Sequence, residues 1–260
     1  MIRAKKALGQ HFLNDEHIAS EIAATISDSR LPAGHPDWGA LPILEVGSGT
    51  GVLTKYLLET GRQLTAVELD TESVEYLSKA YPSLKVVEAD FLKLDLNDIY
   101  RSEFALIGNF PYNISSQIFF KVLDNMERIP VVAGMLQKEV AERICSGPGS
   151  KVYGILSVLL QAWYDCEYLF NVEPHVFTPP PKVRSGVLRL TRNGRTELGC
   201  DPSLFKKVVK TTFGQRRKTI RNSLAPMLRP GSPALDSRFM QERPERLSVE
   251  DFIELTRLLK

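Results

Sequence analysis

The 260-residue sequence has little of what marks disulfide-rich, zinc-binding or membrane proteins. Its three cysteines, Cys145, Cys166 and Cys200, are far apart and lack C-x-x-C spacing, which predicts neither a disulfide framework nor a zinc site. The longest uncharged apolar stretch, residues 152–164, has 13 residues, fewer than the roughly 20 that span a bilayer. The first residues lack the apolar core of a secretory signal. We therefore expect a cytoplasmic protein with no metal site and no membrane partner. We also expect it to be a monomer.

Acidic and basic residues are nearly balanced over the chain but are unevenly distributed along it. The 33 Lys and Arg and the 31 Asp and Glu give a net charge of +2. Residues 1–181 hold 15 basic and 23 acidic side chains, a net −8, whereas residues 182–260 hold 18 and 8, a net +10. Such a basic segment favours an anionic partner, most often nucleic acid.

Short β-rich apolar runs alternate with segments of helical spacing between residues 42 and 137. This alternation predicts an α/β fold, a Rossmann-like parallel sheet with helices on both faces. The predicted strands are Ile43–Val46, Leu64–Glu68, Lys85–Glu88, Ala105–Gly108 and Val131–Met135. Two further strands, Ile155–Trp163 and Gly186–Leu190, are expected to close the sheet as an antiparallel edge.

The basic part of the chain predicts a second, smaller helical domain. A polar linker at 191–195 precedes it, so we expect a Rossmann-like catalytic domain at 1–192 and a helical RNA-binding domain at 193–260. If Ser203–Leu224 is one helix, its basic residues cover about a third of the circumference and its apolar residues another sector. The basic residues are Lys206, Lys207, Lys210, Arg217, Lys218 and Arg221, and the apolar sector is Phe205, Val208, Val209 and Thr212. The alternatives are a solvated charged face or a helix that ends at Gly214.

A glycine-rich turn follows the first predicted strand, at Gly47-Ser48-Gly49-Thr50-Gly51 after the acid Glu45. Glycines at this place let a ligand approach backbone N–H groups. A dinucleotide site has G-x-G-x-x-G spacing, whereas G-x-G-x-G after an acid is similar to the S-adenosylmethionine loop of the large methyltransferase class. The alternative is a tight strand-to-helix turn with no ligand.

Two acids end the next two strands. Glu68 lies 21 positions after Gly47, where an acid accepts hydrogen bonds from ribose hydroxyls in nucleotide-binding sheets. Asp90 is placed to accept from an adenine amino group, with Phe91 beside the ring. The alternative for Asp90 is a helix cap or a solvated turn.

The tetrapeptide Asn109-Phe110-Pro111-Tyr112 follows the fourth predicted strand and suits methylation of an exocyclic amino group. The Asn109 side-chain carbonyl and the Phe110 backbone carbonyl can accept from an aromatic NH₂ and make its lone pair available. Pro111 stiffens the turn, and Tyr112 offers a stacking face.

These motifs together resemble the ribosomal RNA adenine N6-dimethyltransferases, in their small-subunit branch. The resemblance runs from residue 5 to about residue 224. The segments that carry it are Lys5–Leu13, the glycine loop, Asn109–Ser115, Phe177–Val183 and Phe213–Lys218.

The resemblance implies a class I S-adenosylmethionine-dependent methyltransferase sheet and a small C-terminal helical domain. The implied cofactor-binding residues are His11, Leu13, Gly47, Gly49, Glu68, Asp90, Phe91 and Asn109. It also implies catalytic roles for Asn109 to Tyr112 and for Phe177, which the Pro-Pro-Pro run would hold out to stack on the target base opposite Tyr112. His11 stands where many relatives have Asn, and Phe110 where many have Leu or Ile.

The implied reaction is dimethylation of two adjacent adenines in the 3′-terminal hairpin of 16S ribosomal RNA, late in 30S subunit assembly. Arg3, Lys5 and Lys6 at one end and the basic tail at the other are expected to frame the RNA entrance. The expected RNA-binding residues are Lys5, Lys6, Lys206, Lys210, Arg216, Arg217, Lys218 and Arg221. The alternatives are a large-subunit adenine methyltransferase of the antibiotic-resistance type and a non-catalytic assembly factor on the same fold.

Overall fold

The computed structural model describes residues 2, 4–27, 31 and 36–259. The chain divides into two compact units. The first comprises Met1–Ala141 and Cys166–Arg192, and the second comprises Glu142–Asp165 and Asn193–Lys260. Within the described ranges, every helix is too short or too polar to cross a membrane.

The described strands form a two-stranded ribbon and a seven-stranded sheet. The strands are β1 (Phe12–Leu13), β2 (Ile43–Val46), β3 (Leu64–Glu68), β4 (Lys85–Glu88), β5 (Ala105–Asn109), β6 (Val131–Gln137), β7 (Tyr164–Val172), β8 (Phe177–Thr178) and β9 (Ser185–Arg192). The sheet order is β4-β3-β2-β5-β6-β9-β7. The first five strands in this order, β4, β3, β2, β5 and β6, are parallel. β9 runs antiparallel to β6. The ribbon pairs β1 with β8 in antiparallel register.

The helices of the described chain follow the strands in the alternation expected of an α/β fold. They are α1 (Glu16–Ala24), α2 (Thr54–Glu59), α3 (Thr71–Ala80), α4 (Ser115–Asp124), α5 (Lys138–Cys145), α6 (Ile155–Gln161), α7 (Pro202–Gly214), α8 (Ile220–Ser223) and α9 (Val249–Leu258). All residues of β2 and β3 are buried, as in central parallel strands covered on both faces. The fold class predicted from the sequence is confirmed.

The predicted strand at Ile155–Trp163 is wrong. Residues 155–161 form α6, and the strand β7 begins only at Tyr164. Five consecutive residues, Leu156–Leu160, are buried, and a short, fully buried run does not distinguish a helix from a strand by periodicity. A capping contact fixes the helix start, because the Gly154 N–H donates to Ser157 Oγ at 2.9 Å. The other strand predictions are confirmed, and β5, β6 and β9 extend one to three residues beyond them.

The second unit contains α6 to α9, so it is more than the basic C-terminal segment. Residues 142–165 belong to it, although the predicted division at 192 placed them with the sheet. Residues 203–224 do not form one helix: α7 ends at Gly214, which is the alternative stated above, and α8 begins at Ile220. The apolar sector of α7 is buried as predicted. The basic stripe is interrupted, since Arg217 lies beyond α7. The assignment of the two parts to catalysis and RNA binding stays a prediction.

Candidate active site

One cavity of about 260 Å³ lies in the first unit at the carboxyl ends of β2, β3, β4 and β5. Open α/β sheets place their ligands at this edge. The N-terminal segment also lines it, from Ala7 to Leu13. The cavity brings together every residue predicted to bind the cofactor, namely His11, Leu13, Gly47, Gly49, Glu68, Asp90, Phe91 and Asn109. Phe110, Pro111 and Tyr112 line it as well.

The glycine loop leaves its backbone bare because its φ values are left-handed and, at Gly49, space is also short. Gly49 has a φ of +54°, and a Cβ on it would lie 3.0 Å from the Phe12 ring. Gly47 has a φ of +74°, and a Cβ on it would lie in ordinary contact with Pro111 at 3.4 Å, so the backbone angle and not space favours glycine there. Left-handed φ values favour glycine. The loop therefore brings bare backbone against the segment that holds Asn109 to Tyr112.

The Glu68 carboxylate is fixed by backbone N–H groups. Its Oε2 accepts from Gly49 N at 2.8 Å, and its Oε1 accepts from Leu69 N at 2.8 Å and Asp70 N at 2.9 Å. Each carboxylate oxygen has two acceptor positions, so Oε2 keeps one for a ligand hydroxyl. The side chain thus joins the glycine loop to the end of β3 and still has an acceptor for a ribose.

Asp90 caps a turn and also lines the cavity. Its Oδ1 accepts from Leu92 N at 3.0 Å, and Lys93 Nζ lies 3.5 Å from its Oδ2. Phe91 is 4% exposed and lines the cavity beside it. The turn contact and the ligand-binding role are compatible, because the cap orients the carboxylate.

The Asn109 side chain is oriented by a backbone carbonyl of the N-terminal segment. Its Nδ2 donates to the His11 carbonyl at 3.2 Å. A carbonyl only accepts, so the amide NH₂ faces His11 and the amide oxygen Oδ1 faces away from it. No described residue donates to Oδ1, which leaves an acceptor at the cavity wall.

Phe110 anchors the tetrapeptide in the core. Its ring is fully buried and meets Phe119 of α4 edge to face at 5.8 Å. A Cβ on Gly134 would lie 2.7 Å from this ring and one on Gly108 would lie 3.2 Å from it, so the two glycines make room for it. Phe110 N donates to Met135 O at 2.9 Å. Its carbonyl receives no hydrogen bond from the described part of the chain.

Tyr112 stacks on His11, with ring centroids 5.4 Å apart and an interplanar angle of 30°. Contacts at the outer end of each ring fix the pair. The Tyr112 hydroxyl hydrogen-bonds to Ser185 Oγ, and His11 Nδ1–H donates to the Pro179 carbonyl at 2.8 Å. Burial raises the pKa of the Tyr112 hydroxyl, which keeps the phenol neutral.

Phe177 is not held out by the proline run. The ring is 2% exposed and belongs to the apolar core, because β8 pairs with β1 and sets Phe177 opposite Leu13. It does not line the cavity. The aromatic ring that faces Tyr112 is therefore His11, and stacking of Phe177 on a target base stays a prediction that this packing does not support.

Lys5 attaches the N-terminal segment to the end of β3. Its ammonium pairs with Asp70 and, at 3.0 Å, with Glu72, and Gln10 Nε2 donates to Asp70 at 3.3 Å. Burial raises the pKa of the Asp70 carboxyl, but the hydrogen bonds from Lys5, Gln10 and Ser73 outweigh it and the net pKa is lowered. Lys5 thus contacts carboxylates where an RNA contact was expected. Arg3 lies outside the described residues.

The remaining predicted RNA-binding residues differ in exposure. Arg216 is half-buried and donates to the Ser150 carbonyl at 3.3 Å, and Arg221 donates to the Leu235 carbonyl at 3.3 Å. Lys206 is half-buried. The exposed members are Lys6, Lys210, Arg217, Lys218 and Arg221.

Glu45 is a cavity residue that was not among the predicted site residues. It is 1% exposed and accepts from Thr54 Oγ1 at 2.7 Å. Burial raises its pKa to about 7, against the lowering effect of the Thr54 hydrogen bond. Ser48 also lines the cavity, and its hydroxyl, like that of Thr54, lowers the pKa of the Glu45 carboxyl. The acid before the glycine spacing was the sequence signal for Glu45.

The sequence is similar to that of known proteins over its whole length. A family model described as ribosomal RNA adenine dimethylase matches residues 1–260. Ribosomal RNA small subunit methyltransferase A of Parabacteroides distasonis is 58% identical over 258 residues, which cover 98% of this chain and 94% of that protein. The protein of the same name from Porphyromonas gingivalis is 54% identical over 263 residues, covering 100% and 98%.

Two solved structures resemble the chain over nearly its whole length. A dimethyladenosine transferase from Plasmodium falciparum has a TM-score of 0.77 at 23% identity, covering 94% of this chain and 96% of that one; it shows the shared fold. The 23S rRNA methyltransferase ErmE has a TM-score of 0.68 at 26% identity, covering 95% and 99%.

Proposed function

Because the chain belongs to the ribosomal RNA adenine dimethylase family, we propose that it dimethylates N6 of two adjacent adenines in the 3′-terminal hairpin of 16S ribosomal RNA. The chain is an rRNA methyltransferase, and its cofactor is S-adenosylmethionine. The observation that carries the proposal is the oriented amide of Asn109, beside a glycine loop and two acids suited to that cofactor.

The cavity fits S-adenosylmethionine. The glycine loop leaves space that a Cβ would fill, and Glu68 Oε2 keeps an acceptor for the ribose. Asp90 would accept from the adenine amino group with Phe91 beside the ring. When bound, the cofactor supplies an electrophilic methyl group on a sulfonium.

The last residue of β5 and the turn that follows it prepare the adenine amino group for attack. The N6 lone pair is delocalised into the purine ring, so the amine is a poor nucleophile. For the first methyl transfer, Asn109 Oδ1 and the Phe110 carbonyl would accept the two N–H bonds of N6, favour a tetrahedral nitrogen and localise the lone pair. N6-methyladenine keeps one N–H, so one of these two acceptors would orient it for the second transfer. Asn109 is held by His11 and Phe110 by its buried ring, so both acceptors are oriented before RNA binds.

Tyr112 would supply the surface on which the extruded base stacks. Enzymes that modify a base move it out of the helix and read it by stacking and hydrogen bonds. The Tyr112 ring is fixed by Ser185 at its hydroxyl and by His11 at one face. A fixed ring limits how the base can lie, so N6 is directed to Asn109.

The RNA would be held by phosphate contacts from exposed cations, Lys6, Lys210, Arg217 and Lys218 among them. Such contacts position RNA without reading its sequence, so selection of the two adenines comes from RNA shape. The finer parts of the proposal are a late 30S assembly intermediate as substrate, a monomeric enzyme and a cytoplasmic location.

A labelling experiment tests the proposal and its alternatives. Purified protein and labelled S-adenosylmethionine are offered to unmethylated small subunits, naked 16S RNA and unmethylated large-subunit RNA. We expect label on small subunits as two dimethyladenines. Label only on large-subunit RNA would favour the ErmE-like activity, and no label anywhere would favour a non-catalytic assembly factor. Asn109→Ala, purified in parallel, controls for a contaminating methyltransferase.

A further inference from the structure

Lys121 of α4 contacts the loop that carries Asp90 and Phe91. Lys121 Nζ donates to the Leu92 carbonyl at 3.1 Å and also to the Leu94 carbonyl. The same ammonium lies 5.3 Å from the centroid of the Phe91 ring. Three contacts from one cation therefore fix the loop that is expected to bind the adenine of the cofactor.

These contacts are made in a partly buried environment. Lys121 is half-buried, and burial lowers the pKa of its amine, while Asp95 and Asp90 act in the opposite direction. A partly desolvated ammonium binds carbonyl oxygens and an aromatic face more strongly than an exposed one. Its contacts are thus suited to holding a loop, whereas a surface lysine would contribute little.

Helix α4 connects this loop to the catalytic tetrapeptide. It begins at Ser115, three residues after Tyr112, and Phe119 packs against the Phe110 ring. Lys121 follows two positions later, about 200° around the helix. One short helix therefore contacts the tetrapeptide with Phe119 and the adenine loop with Lys121.

We propose that Lys121 is a positioning residue for the adenine end of S-adenosylmethionine. It acts through the carbonyls of Leu92 and Leu94 and through the Phe91 ring, and it sets the place of the Asp90 carboxylate that accepts from the adenine amino group. The proposal rests on the proposed function, because it assumes that Asp90 and Phe91 bind adenine.

The test compares binding of two ligands by calorimetry. The first is S-adenosyl-L-homocysteine, and the second is S-inosyl-L-homocysteine, in which hypoxanthine lacks the amino group that Asp90 would bind. We expect the wild type to prefer the adenine ligand. Lys121→Gln should weaken binding of the adenine ligand about tenfold, the effect of losing one charged hydrogen bond. It should also reduce the preference for the adenine ligand over the hypoxanthine ligand. Lys121→Arg should restore part of the affinity for the adenine ligand and part of the preference for it.

A matched control is Lys79→Gln on α3, an exposed lysine whose closest acid, Glu75, is 4.0 Å away. It should bind both ligands like the wild type. A Lys121→Gln protein with unchanged affinity and preference would overturn the proposal, as would one whose melting temperature falls while the preference is retained. If Lys121→Gln does not fold, Lys121→Arg decides by the same readout. A wild type that binds neither ligand would overturn the proposed function itself.

Discussion

Burial of the Glu45 carboxyl should make the protein less stable as the pH rises toward neutrality. Glu45 lies on β2 with 1% of its surface exposed, and burial raises its pKa from an ordinary 4.5 to about 7. The unfolded chain exposes the carboxyl and keeps the ordinary pKa. The folded state therefore binds the proton more tightly. This contribution to stability is complete below pH 4.5 and is lost as the pH rises through 7.

A pKa difference of this size corresponds to about 3 kcal/mol. Glu45→Gln removes the titration, keeps the shape of the side chain and can still accept from the Thr54 hydroxyl. We expect the unfolding free energy of the variant, relative to the wild type, to increase by about 2–3 kcal/mol between pH 5 and pH 8. Urea unfolding of both cofactor-free proteins at several pH values measures this difference, in which the titration of other groups cancels.

The matched control is Glu59→Gln, which removes an exposed glutamate at the end of α2. Its difference from the wild type should vary little with pH. If the Glu45→Gln difference is also constant from pH 5 to pH 8, the carboxyl has the same pKa in the folded and unfolded states, and the reasoning from burial is refuted.

Three other substitutions test separate parts of the site. Asn109→Ala should lower kcat by about 10²–10³-fold and leave the Kd for S-adenosylhomocysteine nearly unchanged, because the amide acts on N6. An affinity for S-adenosylhomocysteine that falls as much as kcat would contradict this role. Phe177→Ala should cost about 3–5 kcal/mol in urea unfolding, because the ring is buried, and an unaltered unfolding curve would contradict the packing. Replacing Arg217 and Lys218 by Gln should reduce the salt slope of RNA binding by about 0.7–0.9 per lost phosphate contact, whereas Lys5→Gln should leave the slope unchanged.

The sheet could be predicted because its strands are short apolar runs bounded by turn residues and flanked by helical segments. A short run of this kind does not by itself distinguish a buried strand from a buried helix. Residues 155–161 lie outside the alternating segment 42–137, and they form a helix where a strand is predicted. The carboxyl ends of parallel strands meet at one edge, so Gly47, Glu68, Asp90 and Asn109 could be placed together without any knowledge of their contacts.

The contacts that orient these residues could not be predicted, because they join distant parts of the chain. His11 contacts Pro179, and Tyr112 contacts Ser185. Ser185 belongs to no motif, and Pro179 belongs to the proline run, for which the sequence suggested a different role. Phe177 shows that a motif can also mislead. Its motif suggested an exposed stacking ring, but the residue lies on β8, which pairs with β1, and its ring is in the core. Sequence order identifies candidate groups, and packing decides which faces of them a substrate can reach.

Net charge is subject to the same limit. The net charge of +10 for residues 182–260 counts Arg216 and Lys218 equally. Arg216 lies 4.0 Å from Glu245 and donates to a backbone carbonyl, whereas Lys218 is exposed. The N-terminal count likewise includes Lys5, although two carboxylates neutralise it. An RNA phosphate must displace an ion pair to reach Lys5 but not to reach Lys218, because no described acid pairs with Lys218. The basic excess therefore indicates the class of partner, whereas the pairing of each cation decides where that partner binds.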